Sequence, residues 1–142
     1  MNLPRRIVTY ACLSLLLLVT VIAHAISAVG NQEVKGSYWV IETTDLGSDV
    51  RVNLRIRLFN ASEDRLFITG LGLADALRRV RGSESKSLIL EPHNTSSFIQ
   101  EFTVSSREYS LWQNGHRPQL SLKIQDAGGE RTLMVVLVRR PF

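Results

Sequence analysis

A strict alternation of aliphatic and polar residues in segment 50–60 constrains the fold of this chain more than any other feature. In VRVNLRIRLFN every second residue from Val50 to Leu58 is aliphatic. The polar residues between them are Arg51, Asn53, Arg55 and Arg57. Successive side chains of a β-strand point to opposite faces, so a period of two predicts one buried and one exposed face. The arginines are therefore expected on the solvent side of a sheet.

Six further short segments have strand patterning, and turn-forming residues separate them. They are 37–42, 66–73, 86–92, 97–105, 119–126 and 131–140. Gly70 and Gly72 predict a bulge or a close backbone approach in the second of these. The last segment is apolar on both faces through Val138, which predicts a central or covered strand. Seven short strands favour a two-sheet sandwich.

Residues 74–86 are patterned differently, because Leu73, Leu77 and Val80 recur at helical spacing. We predict a short helix or an ordered crossover loop here. Loops carry binding functions more often than sheet faces do. The basic cluster in this segment is therefore the first candidate for contact with a partner or with lipid headgroups, and an ordinary solvated loop is the alternative. Its members are Arg78, Arg79 and Arg81.

The arginines of segment 50–60 are the second candidate cluster. Alternating Arg51, Arg55 and Arg57 would suit a groove for an anionic partner. The competing interpretation is a solvated face on which acidic residues of neighbouring strands, such as Glu101, pair with the arginines. Such cross-strand pairs contribute about 0.2–1 kcal/mol each. We favour the solvated or cross-paired face.

The N-terminus has the layout of an export signal. Arg5 and Arg6 precede an uncharged apolar run at 7–23, and small residues follow at Ala23 and Ala25. This predicts cleavage after Ala25, with an uncleaved membrane anchor as the alternative. We expect a signal or anchor at 1–25, a linker or edge strand at 26–36, and one domain at 37–140. By the positive-inside rule the domain is exported, to a bacterial periplasm or beyond, or stays anchored outside the cytoplasm.

Composition and spacing exclude several function classes. The chain has 17 Lys and Arg residues and 13 Asp and Glu residues. Without Arg5 and Arg6 the counts are 15 and 13, and this excess of positive charge is too weak to predict nucleic-acid binding. Cys12 is the only cysteine and lies in the apolar run, so the exported domain has no thiol chemistry. His93 and His116 lack metal-site spacing. We predict no enzyme activity, no metal and no cofactor.

Local motifs predict turns and one helix start. Ser105 and Glu108 stand three apart, as in a capping box, and Tyr109 and Trp112 would then share a helix face. We expect these two aromatic residues to cover the open end of the sheets, and an exposed patch that binds a peptide or sugar is the alternative. Asn60 and Asn94 lie in N-x-S/T sequons, which would matter only in a eukaryotic secretory route. We interpret both asparagines as turn residues.

Four stretches resemble the immunoglobulin-like and fibronectin-III-like modules of exported bacterial proteins. They are VRVNLRIRLFNAS, LILEP, FIQEFTVS with the REYSLWQNG crossover, and the hairpin LKIQDAGGERTLMVVLV. The resemblance implies an all-β, two-sheet immunoglobulin-like sandwich of about seven strands, and the apolar run at 7–23 predicts an N-terminal hydrophobic signal or anchor helix before it.

The predicted function is that of a non-catalytic binding or assembly module of the cell envelope. It would contact a protein partner through a sheet edge or the 74–86 loop, and meet the membrane only through an uncleaved N-terminus. The alternatives are a membrane-tethered structural domain and an enzyme of unrecognised type.

Overall fold

The computed structural model describes residues 32–141, so the predicted signal or anchor and most of the predicted linker lie outside the described residues. Seven strands and one helix occupy this range. They are β1 (Val34–Asp45), β2 (Asp49–Asn60), β3 (Leu66–Ala74), β4 (Val80–Leu90), β5 (Thr95–Ser105), α1 (Ser106–Gln113), β6 (Gln119–Asp126) and β7 (Gly129–Arg139). The domain is all-β, as predicted, and β1 begins within the segment expected to be a linker or edge strand.

The seven strands form one mixed sheet in the order β4-β3-β6-β7-β1-β2-β5. Every neighbouring pair is antiparallel except β1 and β7, which are parallel over three residue pairs. The structure therefore contains one sheet and not the two separate sheets of the predicted sandwich. The parallel β1–β7 contact joins the strands β4-β3-β6-β7 to the strands β1-β2-β5. Alternation specifies which face of each strand is buried, but it does not specify which strands become neighbours.

The sheet curls into a nearly closed barrel whose two edge strands, β4 and β5, approach each other. Gln100 Nε2 on β5 donates to Glu84 Oε2 on β4 at 2.6 Å. Lys86 Nζ lies 3.4 Å from Gln100 Oε1 and 5.0 Å from the ring centroid of Phe98. Within residues 32–141, no backbone pairing joins β4 to β5. Side chains alone therefore hold this seam.

The interior is filled by the aliphatic positions of the alternating strands. Val52, Leu54, Ile56 and Leu58 of β2 have no exposed surface, and the arginines between them are exposed, as predicted. Each such buried side chain contributes about 1.5–3 kcal/mol relative to an exposed one. β7 is central, as predicted, and lies between β6 and β1.

Of the two alternatives predicted for 74–86, a short helix or an ordered crossover loop, the structure contains a loop, which is shorter than predicted because β4 starts at Val80. The Asp75 side chain closes a turn: its Oδ1 accepts hydrogen bonds from the backbone N–H of Leu77 and of Arg79, each at 2.9 Å. Aspartate favours such local turns over helix interiors for this reason. Leu77 is 72% exposed, so its helical spacing reflects no buried helix face.

Gly70 and Gly72 coincide with irregular pairing, as predicted. The register of β3 against β4 shifts between Ile68 and Gly70 and again between Leu71 and Leu73. A Cβ atom on Gly72 would lie 2.6 Å from Val80 Cγ1, so the two strands approach closely here.

Helix α1 covers one end of the barrel. Ser105 caps it, because its Oγ accepts from the backbone N–H of Glu108 at 3.1 Å, as the sequence motif predicts. Trp112 is buried and meets the rings of Tyr38 and Tyr109 edge-on, with centroids 6.4 and 6.0 Å away. The prediction that Tyr109 and Trp112 cover this end is thus confirmed. Burial raises the pKa of Tyr38 above its ordinary value.

Glycine at position 36 permits the contact between β1 and β7. A Cβ atom there would lie 2.5 Å from Leu137 Cδ2 and 2.9 Å from Val135 Cγ1.

We expect Gly36→Val to lower the free energy of unfolding by about 1–3 kcal/mol through overpacking. The matched control Ser37→Val, one residue along on the outer face, should change it by less than about 0.5 kcal/mol. Urea denaturation measures both; equal effects would contradict this account of the β1–β7 contact.

Asn60 is fully buried and connects the β2–β3 turn to β4. Its Nδ2 donates to the carbonyls of Asp64 and Leu90, at 2.7 and 3.1 Å, and its Oδ1 accepts from the N–H and hydroxyl of Ser62. The asparagine is a turn residue, as predicted.

Asn60→Ala should cost about 1–3 kcal/mol of folding stability, because buried polar groups lose their partners. In the control Asn94→Ala, only an exposed contact to Thr95 N is lost, and the thermal midpoint should barely move.

Candidate functional site

A cleft of about 550 Å³ opens where the seam between β4 and β5 widens towards α1. Its walls are the end of β3, the 75–79 turn, the start of β4, the end of β5 and the first turns of α1. Apolar side chains that line it are Leu73, Leu77, Phe102, Val104 and Leu111. Leu73, Phe102 and Val104 belong to the buried core, whereas Leu77 and Leu111 are exposed. The cleft is therefore a depression in the barrel wall with an apolar base.

Glu108 connects the helix to the 75–79 turn beside this cleft. Its carboxylate is largely buried; Oε1 accepts from Trp112 Nε1 at 3.1 Å, and Oε2 accepts from the backbone N–H of Ala76 at 3.3 Å. Both carboxylate oxygens thus serve the scaffold. The Glu108 side chain therefore holds α1 and the 75–79 turn in fixed positions relative to each other.

The rim carries both signs of charge. Asp75 Oδ2 accepts from Arg79 Nε at 2.9 Å and lies 3.7 Å from Arg81 Nε. The backbone N–H of Arg79 is the main cause that holds the pKa of the Asp75 carboxyl below its ordinary value, and the Arg79 guanidinium and the N–H of Leu77 act in the same direction. Arg107 completes the basic side of the rim, and Glu84 and Glu101 line its acidic side.

The two predicted arginine clusters occupy different surfaces. Arg79 and Arg81 line the cleft and are partly neutralised by Asp75. Arg78 does not line it; this residue adopts a positive φ of 60° in the turn and is exposed.

The outer face of β2 carries the other cluster. Arg51 pairs with Glu101 at 3.5 Å, as the cross-strand interpretation predicts. Within residues 32–141, Arg55 and Arg57 have no acidic side chain within 4.0 Å.

Two strand edges border the cleft. In the part of the chain that the structure describes, neither β4 nor β5 has a strand partner on the side that faces the other, so backbone donors and acceptors of both edges have no ladder partner. Among residues 32–141, no group of three or more His, Cys, Asp or Glu is placed to hold a metal ion. In the same range, no helix is long and apolar enough to cross a membrane.

Several cleft residues were not identified from the sequence. The spacing of Leu77 predicts a short helix or an ordered loop, Glu108 matches a capping box only, and Leu111 has no distinguishing signal in the sequence. The available signal was local: an aspartate followed by polar residues at 78 and 79 is typical of a side-chain-closed turn, which leaves the intervening leucine exposed. That Leu77 and Leu111 share one cleft depends on the tertiary fold.

No protein-family model matches the chain, and no curated protein matches its sequence. Solved structures with similarity to it include a protein from Archaeoglobus fulgidus, at 13% identity and a TM-score of 0.42, covering 74% of this chain and 90% of that one. A candidate late embryogenesis abundant (LEA) protein has 15% identity and a TM-score of 0.44, covering 90% and 81%. A structural genomics target has 13% identity and a TM-score of 0.36, covering 78% and 81%.

The role of Asp75 gives a pH-dependent prediction. Its pKa is lower in the folded chain, so its ionised form stabilises the fold above the unfolded-state value of about 3.9, and this contribution disappears as the pH falls through the folded-state pKa. Asp75→Asn should be less stable than wild type at pH 7 and should lose less stability between about pH 5 and pH 2. Urea denaturation across this range measures the difference.

Asp64→Asn is the matched control, because Asp64 is exposed and its side chain forms no ion pair within residues 32–141. It should keep the wild-type pH profile. Identical profiles for Asp75→Asn and wild type would show that the carboxylate does not hold the turn.

Proposed function

We propose that this protein is an exported, non-catalytic binding module that holds an extended segment of a partner protein in the cleft between β4 and β5. The observation that supports the proposal is the pair of unpaired strand edges on either side of an apolar depression. Export is supported by the sequence of the first 25 residues. The immunoglobulin-like resemblance stays a prediction, and the proposed binding mode does not require it.

An extended peptide suits this cleft for a physical reason. Main-chain N–H and C=O groups of a strand edge are satisfied when a partner strand pairs with them, and side chains at alternate positions then enter pockets that give specificity. The base formed by Leu73, Phe102 and Val104 would take apolar side chains. Two exposed leucines, Leu77 and Leu111, would gain most from being covered.

The charge at the rim favours a peptide over a simple anion. Three arginines line the cleft, and Asp75, Glu84, Glu101 and Glu108 line it as well. Because Asp75 already engages Arg79 and Arg81, the site offers no concentrated positive field. A partner segment with mixed polar groups at its flanks and apolar residues at its centre matches this pattern.

A photo-crosslinking experiment tests the proposal. A crosslinking amino acid at Leu111 should capture one defined envelope protein in intact cells, and the same amino acid at Ile89, exposed on the outer face of β4, should not. After the captured protein is purified, Leu77→Asp should weaken its binding by about tenfold or more, as expected for a central apolar contact. Ile89→Asp is the matched control and should bind as wild type does.

Hydrogen exchange of the purified complex then identifies the binding mode. Amides along β4 and β5 should exchange more slowly when the partner is bound, because a paired strand protects them. Protection confined to loops, or equal capture from positions 111 and 89, would contradict strand addition in the cleft.

A further inference from the structure

A second surface of the molecule combines exposed apolar side chains with arginines that form no ion pair among residues 32–141. It lies on the outer face of β1, β2 and β5, where Trp39, Arg55 and Ile99 stand opposite one another in the strand register. Ser37, Arg57 and Ser97 form the next row, and Val138 of β7 lies beside Ser37. We call this surface the arginine face. It is separate from the cleft, whose lining includes neither Arg55 nor Arg57.

The apolar residues of the arginine face are unusually exposed for a sheet. Ile99 is 52% exposed, Ile41 at the bulge of β1 is 42% exposed, and Val138 is 40% exposed. They are single side chains between cations and not one continuous patch. A mixed surface of this kind fits the headgroup region of a bilayer, where arginine stems contact apolar groups while the guanidinium groups stay hydrated. Trp39 is half-buried on this face, and its Nε1 donates to the carbonyl of Pro141 at 3.2 Å.

Charge is distributed unevenly along the arginine face. Lys35, Arg57 and Arg55 occupy one end, and Glu42 and Glu101 lie opposite Asn53 towards the other. Glu33, which precedes β1 at the basic end, is already held by Arg131 Nη2 at 2.6 Å. The basic end therefore keeps a positive charge that the domain itself does not neutralise.

The chain enters the domain at this same basic end. The apolar run at 7–23 ends ten residues before β1, and ten extended residues span at most about 35 Å. If the N-terminal segment stays in a membrane as an uncleaved anchor, a linker of this length allows the arginine face to reach the lipid surface. Attachment of this kind removes most of the entropic cost of bringing a weakly binding surface to the bilayer.

We propose that, when the N-terminal segment is not cleaved and stays in the membrane, the arginine face binds the surface of a bilayer that contains anionic phospholipids. Arg55 and Arg57 would contact lipid phosphates, and Trp39, Ile41 and Ile99 would enter the headgroup region. Single basic residues contribute modestly near an anionic leaflet, so the interaction needs the tether and the apolar contacts together.

Tryptophan quenching in nanodiscs tests this proposal with the full chain, N-terminus intact. Trp39 lies on the arginine face, whereas Trp112 is buried in the core, so quenchers attached to lipids near the headgroup report on Trp39. We expect strong quenching in phosphatidylcholine discs with about one-third phosphatidylglycerol, and little in pure phosphatidylcholine. Trp39→Phe should abolish the quenched component.

Charge reversal provides the matched comparison. Arg55→Glu with Arg57→Glu should lower the ratio of docked to undocked protein by about tenfold or more. The pair Arg78→Glu with Arg117→Glu changes the net charge equally at exposed positions off the face and should leave quenching unchanged. Ile99→Ser should reduce quenching without affecting the fold, because Ile99 is already half exposed.

Three results would overturn the proposal. The first is quenching that is equal with and without phosphatidylglycerol, and the second is equal loss in both charge-reversal pairs. The third is an Arg55→Glu, Arg57→Glu variant that keeps its Trp39 quenching but no longer binds an acidic protein that the wild type binds. That result would assign the face to a protein partner. Near-UV circular dichroism confirms that each variant is folded, and the outcome does not depend on whether the cleft binds a peptide.

Discussion

The short parallel contact between β1 and β7 determines the architecture of this domain. Only three residue pairs join these strands, yet the contact links the group β4-β3-β6-β7 to the group β1-β2-β5. Glycine at position 36 favours it, because a Cβ atom there would lie 2.5 Å from Leu137 Cδ2 and 2.9 Å from Val135 Cγ1, and these side chains would have to shift. With this contact the sheet continues around the core, and its curvature brings the two edge strands together on the far side.

The cleft is a consequence of that closure. β4 and β5 follow each other in sequence, separated by residues 91–94, but they lie at opposite ends of the strand order. The connection keeps them close at one end, and side chains of Glu84, Lys86 and Gln100 bridge them further along. Beyond these bridges the strands separate, and the 75–79 turn and α1 border the opening. A site with two unpaired edges thus arises from incomplete closure of a barrel, without any dedicated insertion.

The sequence predicted the parts of this structure that depend on neighbouring residues. The alternation of β2, the glycine irregularities of β3, the cap at Ser105 and the turn at Asn60 were all predicted, because each follows from local backbone and side-chain chemistry. Near Leu77 the sequence left a short helix and an ordered loop as alternatives, and the structure contains a turn closed by one aspartate. Arg79 and Arg81 were predicted as a site, but their neutralisation by Asp75 was not.

By itself the sequence determined an all-β domain, the buried face of most strands and the residues that end them. Those properties are set by periods of two and by side chains that bond to their own backbone. The tertiary structure decided that the strands form one sheet, that β4 and β5 are its edges, and that Leu77, Phe102 and Leu111 line one opening. These relations join residues far apart in the chain, and alternation is equally compatible with several strand orders, so only long-range packing selects among them.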